Sequence, residues 1–407
     1  MRAVARARKP GGGAAIPGVV VNKLAPTFLP RTLSGFRDGL VVVTGTAGKS
    51  TTTRILAALV AAHGKSVFTN PSTANIAQGL TSAVIAASTL TGKIDADIAI
   101  LEMDEGHAAK LGQLAKPDYS VLLNVCVDQV DRFFDPAQVT SMLESVAKAT
   151  TKSIIYNRDD ASVVSAVTDS AAGLSSFGMG KKLFEREAEN LSYVSTRTIE
   201  STYPDPDTCL ESVDARTARI RFDGRSREVA LPSVGVHYGV DVAAAIQAAR
   251  VILGSDFDDE RAVAVLASID PVFGRGEVVN VRGHDVNFIL VQNPPSLKLN
   301  IRTISPDTDH LMIAVGTDVR DYSYLWSTQL RGLPRVSIAA GLQARDVALH
   351  CLYNDVAVDR IETDLHRALD EFFALGEPRH GMKTVIFSAD SMRRTRRYLG
   401  LPEQEVA

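Results

Sequence analysis

The stretch LVVVTGTAGKSTTTRILAALVAAHG, residues 40–64, constrains the fold of this chain more than any other. A short β-branched run leads into a glycine turn, then Lys49, Ser50 and a pattern with helical spacing, which reads as a buried strand feeding directly into a helix. Gly45 and Gly48 let the backbone turn so that successive N–H groups, those of Thr46 and its neighbours included, point at phosphate oxygens. The helix starting near Ser50 adds its positive end. In such a loop Lys49 reaches β- and γ-phosphates, and Ser50 or Thr51 binds Mg²⁺. One element of GxxxxGK[ST] is absent, because Val43 stands where the first glycine would fall. The plain alternative is a structural turn carrying a surface lysine. Glycine, lysine, serine and three threonines all in register favour the phosphate reading.

Strand and helix patterns continue to alternate after this loop. VFTN (67–70), DIAILEMDE (97–105), SVLLNV (120–125) and KSIIYNRDD (152–160) read as strands, with helical patterns at 75–87 and 136–149 between them. That rhythm predicts an α/β fold with a parallel sheet. Polar sequence over 170–227, with ARIRFDG and REVAL inside it, reads as a small β-rich insertion, and GVDVAAAIQAARVIL (239–253) as one more helix. A second alternation starts near Pro271 and includes VNFILVQNP, HLMIAVG, VSIAAG, a helix around 360–374 and KTVIFSA. The expected division is a basic flexible arm and lead-in (1–38), a central nucleotide-binding domain (39–271) and a smaller α/β carboxy-terminal domain (272–407), with the boundary at FGRGE, residues 273–277.

With 407 residues at about 150 per domain, two or three domains are expected. A net charge of -3 makes no electrostatic case for a nucleic-acid partner. Three scattered cysteines, Cys126, Cys209 and Cys351, contain no CxxC pair, so a reducing cytoplasm fits and no cysteine zinc site is expected. No apolar run reaches membrane-spanning length, so no transmembrane segment is expected. Arg2, Arg6, Arg8 and Lys9 make the opening stretch a frayed basic arm. Peripheral contact with an anionic membrane surface is the lesser reading, since the arm lacks a strong apolar face.

Polar residues follow the predicted strands where open α/β sheets bind ligands. Glu102 is a candidate metal ligand, with Asp104 and Glu105 nearby, although acidic residues at strand ends also cap helices. Asn124, Asp128 and Asp131 follow the next strand, and Asn157 and Asp160 the one after; each alone would pass as a turn. His63 and His107 read as surface or capping residues, and Cys126 as a small buried residue. Tyr322, Tyr324 and Trp326 alternate along one face, fit for a partner surface or for core packing. RRTRRY, 393–398, reads as a solvated basic helix face.

GTAGKSTTT, ILEMDE, LNVCVDQVDR, YNRDD and FGRGE, in this order, resemble the ATP-dependent Mur ligases of cell-wall synthesis. LEMDE and VDQVDR, with the later ILVQNPPS, VGTDVRDYSYLW and AAGLQARDVALHCLY, are most similar to the MurT-type ligase subunits within that family. The resemblance spans roughly residues 38–395. It implies a Mur-ligase-like central ATPase domain with a second α/β domain closing over it, ATP and Mg²⁺ as cofactors, and a carboxylate activated as an acyl phosphate. In MurT-type subunits that carboxylate is the α-carboxyl of D-glutamate in a lipid-linked precursor, amidated by ammonia from a GatD-type class I glutaminase partner at the inner face of the membrane. Carried over by residue, Lys49 and Ser50 serve phosphate and metal, Glu102 metal, Asn124 and Asp128 the crevice, and Arg275 the nucleotide phosphates. Asn293 stands in the nucleotide set, and Asp321, with Asp318 as alternative, is offered to the glutaminase.

Departures matter for the chemistry. The family's four-cysteine zinc ribbon reduces here to Cys209, so no zinc is expected. Val127 and Gln292 stand where the family carries cations, and HYGVDV (237–242) replaces paired asparagines. Losing cations beside a phosphoryl group costs several kcal/mol of transition-state stabilisation in favourable sites. Two alternatives therefore stand beside the amidating subunit: an amino-acid ligase working without a glutaminase, and a scaffold subunit with weak nucleotide affinity.

Overall fold

Leu40 and Val42 enter one hydrophobic core while Val41 and Val43 enter another, so the strand that carries them is covered on both faces and needs no polar alternation. The computed structural model describes residues 16–71, 74–89, 91–126, 135–187, 191, 193, 205–269, 275–291, 294–316 and 328–402. The first sheet contains β1 (Gly39–Thr44), β2 (Val67–Thr69), β3 (Ile98–Glu102), β4 (Tyr119–Leu122), β5 (Ser153–Asn157), β6 (Gly173–Met179), β7 (Thr208–Asp214), β8 (Thr217–Phe222) and β9 (Arg225–Ala230). Its order is β2-β3-β1-β4-β5-β6-β7-β8-β9, parallel through β7 and antiparallel across the last three strands.

Helices Lys49–Ala62, Val236–Leu253 and Asp259–Ser268 cover one face, and helices Phe28–Leu33, Ala77–Ala87, Glu105–Leu114, Pro136–Ala149 and Ala161–Val167 the other. Several start at acidic caps: the Asp135 carboxylate accepts the Ala137 N–H and that of Asp258 the Arg261 N–H. The apolar span Val236–Asp256 has the length and hydropathy of a membrane crossing. Its residues Ala243, Ala244 and Ala245 are fully buried between helix Lys49–Ala62 and the sheet, as in a core helix.

A second sheet holds β10 (Arg275–Val281), β11 (His284–Leu290), β12 (Leu311–Ala314), β13 (Val336–Ala340), β14 (Val358–Glu362) and β15 (Lys383–Phe387), in the order β10-β11-β15-β12-β13-β14. Only the β10–β11 pair is antiparallel. Helices Pro294–Ile301 and Ala344–Tyr353 pack on one face, and Leu365–Ala374 and Ala389–Tyr398 on the other. Leu299 of helix Pro294–Ile301 reaches across and packs with the core of the first sheet.

Four expectations change. The lead-in is not wholly a flexible arm: residues Ile16–Leu24 and Phe28–Leu33 are helices, the first held to helix Ala77–Ala87 by a Gly18 N–H to Ser82 Oγ hydrogen bond of 2.9 Å. The 170–227 stretch does not stand apart, because β6 pairs parallel with β5 and β7–β9 extend the same sheet. The region expected as a helix around 360–374 first forms edge strand β14. The RRTRRY run is not wholly solvated, since Arg396 is buried and bonds Glu277 at 2.9 Å.

Candidate nucleotide site

β1 lies between β3 and β4, and the chain leaves it toward β2 and β3 on one side before crossing to β4 and β5 on the other. This reversal opens a crevice at the carboxyl ends of the strands. The turn after β1 lies there. Gly45 (φ +128) and Gly48 (φ +85) adopt backbone conformations that disfavour side chains. Gly48 also has no room for one: a Cβ there would lie 2.2 Å from the Asp241 carboxylate on helix Val236–Leu253.

Asn124, just past β4, grips the loop from the other side. Its Oδ1 accepts the Ala47 N–H at 2.8 Å, its Nδ2 donates to the Ala47 carbonyl at 3.1 Å, and its own carbonyl accepts the Thr46 N–H at 3.0 Å. The Cys126 N–H donates to Thr46 Oγ1 at 3.2 Å. Gly45 is buried, whereas Thr46, Gly48, Lys49 and Ser50 are half-buried; Thr51 is turned inward. Lys49 Nζ donates to the loop's own Gly45 and Thr46 carbonyls, the latter at 3.0 Å, and stands 4.0 Å from the Glu105 carboxylate.

Glu102 ends β3 in register with Val43 of β1, which brings it to the loop. Asn70 holds that strand end: its Oδ1 accepts the Glu102 N–H at 3.0 Å and its Nδ2 donates to the Glu102 carbonyl at 2.9 Å. Glu102, Asp104 and Glu105 are all buried. Among the described residues no three His, Cys, Asp or Glu side chains gather as a ready-made metal cage. Mg²⁺ on a nucleotide requires only one or two protein oxygens, the rest coming from phosphate and water. The Ser50 hydroxyl and Glu102 carboxylate fit that donor set.

Asn157 and Asp160 have structural partners. Asn157 Nδ2 donates to the Leu123 carbonyl (2.9 Å) and to the Tyr193 hydroxyl (3.0 Å), while its Oδ1 accepts the Asp159 N–H. Asp160 caps helix Ala161–Val167, taking the Ser162 and Val163 N–H groups on Oδ1 and the Val125 N–H on Oδ2 at 2.7 Å. Burial pushes its carboxyl up to about 6, against the opposing effect of those donors. Both residues therefore brace the strand ends around Asn124.

Arg275 opens β10 opposite Ile289. Asp128, Asn293, Asp318 and Asp321 lie outside the described residues, as do Val127, Gln292, Tyr322, Tyr324 and Trp326. The sequence reading missed Asn70 and Asp241. The available signal was slight: an asparagine ending VFTN, and a lone acid inside the apolar GVDVAAAIQAA.

A doubly wound sheet with a lysine-bearing glycine loop at its crossover defines a nucleotide-dependent enzyme class, and residues 43–249 match the Mur ligase middle domain. The chain belongs to the Mur ligase family, the ATP-dependent amide-forming ligases. Among individual proteins, it is similar to the MurT subunit of the glutamine-hydrolysing lipid II isoglutaminyl synthase of Streptococcus pneumoniae R6, at 26% identity over 83% of this chain and 81% of that one. The Staphylococcus aureus COL MurT subunit is 32% identical over 36% of this chain and 33% of its own. In structure, the chain resembles MurF ligase from Thermotoga maritima in complex with ADP: TM-score 0.64, 19% identity, 91% of this chain and 79% of that one. Mycobacterium tuberculosis folylpolyglutamate synthase gives TM-score 0.64 at 15% identity, covering 92% of each chain. At these identities the two structures speak for the fold alone.

Proposed function

We propose that this chain is the ATP-dependent ligase subunit of a two-component amidating enzyme. It would activate a peptidoglycan-precursor carboxylate, the D-glutamate α-carboxyl of lipid II, for attack by ammonia from a GatD-type glutaminase. The observation that carries this reading is the likeness to the S. pneumoniae MurT subunit across most of both chains. The Gly48-Lys49-Ser50 turn after β1 supports it.

In this reading a carboxylate oxygen attacks the γ-phosphorus of ATP and ADP leaves, forming an acyl phosphate. Ammonia then attacks the acyl carbon, inorganic phosphate departs, and the nitrogen loses a proton. The amides of Gly48, Lys49, Ser50 and Thr51 would cradle the phosphates, those of Thr46 and Ala47 being spent on Asn124 contrary to the sequence expectation. Lys49 would exchange its bonds to the Gly45 and Thr46 carbonyls for bonds to phosphate oxygens. Ser50 and Glu102 would hold Mg²⁺, which offsets charge on the transferring phosphoryl group. Asn124 keeps the loop in shape, with Asn157 and Asp160 bracing it from behind. Arg275 and Asn293 belong to the nucleotide set, Asp128 to the crevice, and Asp321 (or Asp318) to the glutaminase.

We divide the chain at 271/272, with the second unit closing over the first to exclude water from the acyl phosphate. That unit also carries a face suited to a partner: Leu352 and Tyr353, three and four residues after Leu349 on helix Ala344–Tyr353, are exposed with it, as is Leu342 before it.

The test is co-expression with a GatD-type glutaminase, followed by assay with ATP, glutamine and lipid II. Amidated lipid II is expected. A stable complex that yields none would refute the reading, and amino-acid-dependent ADP release by the chain alone would replace it with an amino-acid ligase.

A further inference from the structure

A cavity of about 720 Å³ opens at the amino ends of β12, β13 and β14, between residues 306–310, Arg335 and helix Leu365–Ala374. The candidate nucleotide site lies at the carboxyl ends of strands in the other sheet, and none of its residues lines this cavity. The walls are fixed by bonds of their own. Asp309 Oδ2 accepts the N–H groups of Arg379 and His380, the latter at 3.1 Å, which ties residues 306–310 to the loop before β15. Gly381 (φ +71) lies where a Cβ would come 3.1 Å from Thr308 Oγ1, so the two loops pack closely as well. Lys383, buried at the start of β15, donates from Nζ to the Phe373 and Leu375 carbonyls at 3.3 and 2.6 Å and pins the end of helix Leu365–Ala374. Buried Ile338 and half-buried Leu375 supply apolar lining. A cavity of this size and set shape suits an organic molecule rather than a single ion.

Charge decides the class of molecule. Two ion pairs line the cavity, Arg335 with Asp359 and Arg360 with Glu371, the second at 2.7 Å. All four side chains are partly exposed, so the pairs add little to stability and open readily. An anion could take a guanidinium only by leaving its carboxylate without a partner, and it would face Asp307 and Asp309 besides. A cation could take a carboxylate only by leaving a guanidinium in the same position. A neutral molecule would use neither. A molecule bearing both an ammonium and a carboxylate gives each member of an opened pair a new partner, so no charge is stranded.

We infer that this cavity binds a small zwitterion with an apolar side chain, a free α-amino acid or a dipeptide. Its carboxylate meets Arg335 or Arg360, its ammonium meets Asp359 or Glu371, and its side chain packs on Ile338 and Leu375. The Ser337 hydroxyl, which reaches the Asp309 carbonyl only at 3.5 Å, can turn to a peptide group of the longer ligand. Binding here needs no nucleotide, and the inference stands on the cavity's own residues and not on the proposed reaction.

The experiment is calorimetric titration of the full chain, without nucleotide, against leucine, leucyl-leucine and three capped leucines: the N-acetyl anion, the amide cation and the doubly capped neutral form. Saturable binding of leucine or leucyl-leucine is expected, at least roughly tenfold tighter than that of any capped form. The tighter of the two tells a free amino acid from a peptide as the source. Arg335→Gln with Arg360→Gln should remove the preference for leucine over its amide, and Asp359→Asn with Glu371→Gln the preference over N-acetyl-leucine. A folding defect would not produce these two opposite losses. Lys49→Ala should bind leucine as the parent does. The inference is overturned by absence of saturable binding for both zwitterions, by equal binding of all the capped forms, by charge variants that keep the parent's preferences, or by loss of leucine binding in Lys49→Ala. Failure of ATP binding in a chain that still takes the zwitterion would bear on the proposed function alone.

Discussion

Lys49 sits on the carbonyls of its own loop, with Glu105 4.0 Å from its ammonium group. These contacts hold the lysine ready without filling the cradle, so its removal should damage ligand binding more than folding. Calorimetry of Lys49→Ala with ATP and Mg²⁺ should give at least roughly a tenfold loss of affinity, with little change in Tm. An unaltered affinity would remove the phosphate assignment and favour the scaffold reading. Gly48→Ala behaves differently, since a positive φ costs about 1–2 kcal/mol for an ordinary residue and the new methyl group meets Asp241. Thermal unfolding should register a loss of that size or larger.

Asp160 gives a pH signature. Its folded carboxyl titrates near 6 because burial opposes the charge, above the ordinary aspartate range near 3.9. Between these values the folded state holds the extra proton, so this residue's contribution to stability falls as pH rises from about 4 to about 6, by an amount on the order of 3 kcal/mol. Asp160→Asn lacks that titration. The stability advantage of the parent over the variant, measured by denaturant unfolding, should shrink through this window; a constant difference from pH 4 to 7 would contradict it. At residue scale the loop was legible because its glycines, lysine and serine all fall between residues 45 and 50. Asn157 and Asp160 were legible by position only, since their partners Leu123, Tyr193 and Val125 are remote in the chain.

Elements with a buried face announce themselves through periodicity. Helix Pro136–Ala149 and strands β1 and β15 appear where their patterns place them. Two did not. Strand β14 reads VDRIE and runs on into an amphipathic helix; as an edge strand paired only with β13 it buries too little to display a period of two. Helix Ile16–Leu24 contains three consecutive valines, poor helix formers, and exists because Gly18 allows close packing on helix Ala77–Ala87. Gly18→Val should therefore free this helix, seen as early cleavage near residue 24 in limited proteolysis while the rest of the chain resists. Arg396 joins the last helix to β10 through Glu277. Replacing Arg396 by Met should cost about 1.5–3 kcal/mol by removing its charged hydrogen bonds to Glu277, read as a lower unfolding midpoint. No loss would make that pair ornamental.

Across the whole molecule, Leu299 of helix Pro294–Ile301 packs into the core of the first sheet. The exposed face of helix Ala344–Tyr353 bears on assembly. Leu352→Asp with Tyr353→Asp should weaken association with a GatD-type glutaminase at least roughly tenfold in a pull-down or calorimetric titration, without lowering Tm, because both side chains are exposed in the isolated chain. Retained association would move the partner surface elsewhere.

The family and the α/β alternation were determined by the sequence itself, because a phosphate loop and the periods of buried strands and helices are local properties of a chain. Tertiary structure alone decided that Asp241 rests against Gly48, that Asn70 secures Glu102, and that part of an apparent loose arm is a helix docked through Gly18 on helix Ala77–Ala87. These depend on contacts between segments distant in sequence, where spacing carries no information and packing supplies it.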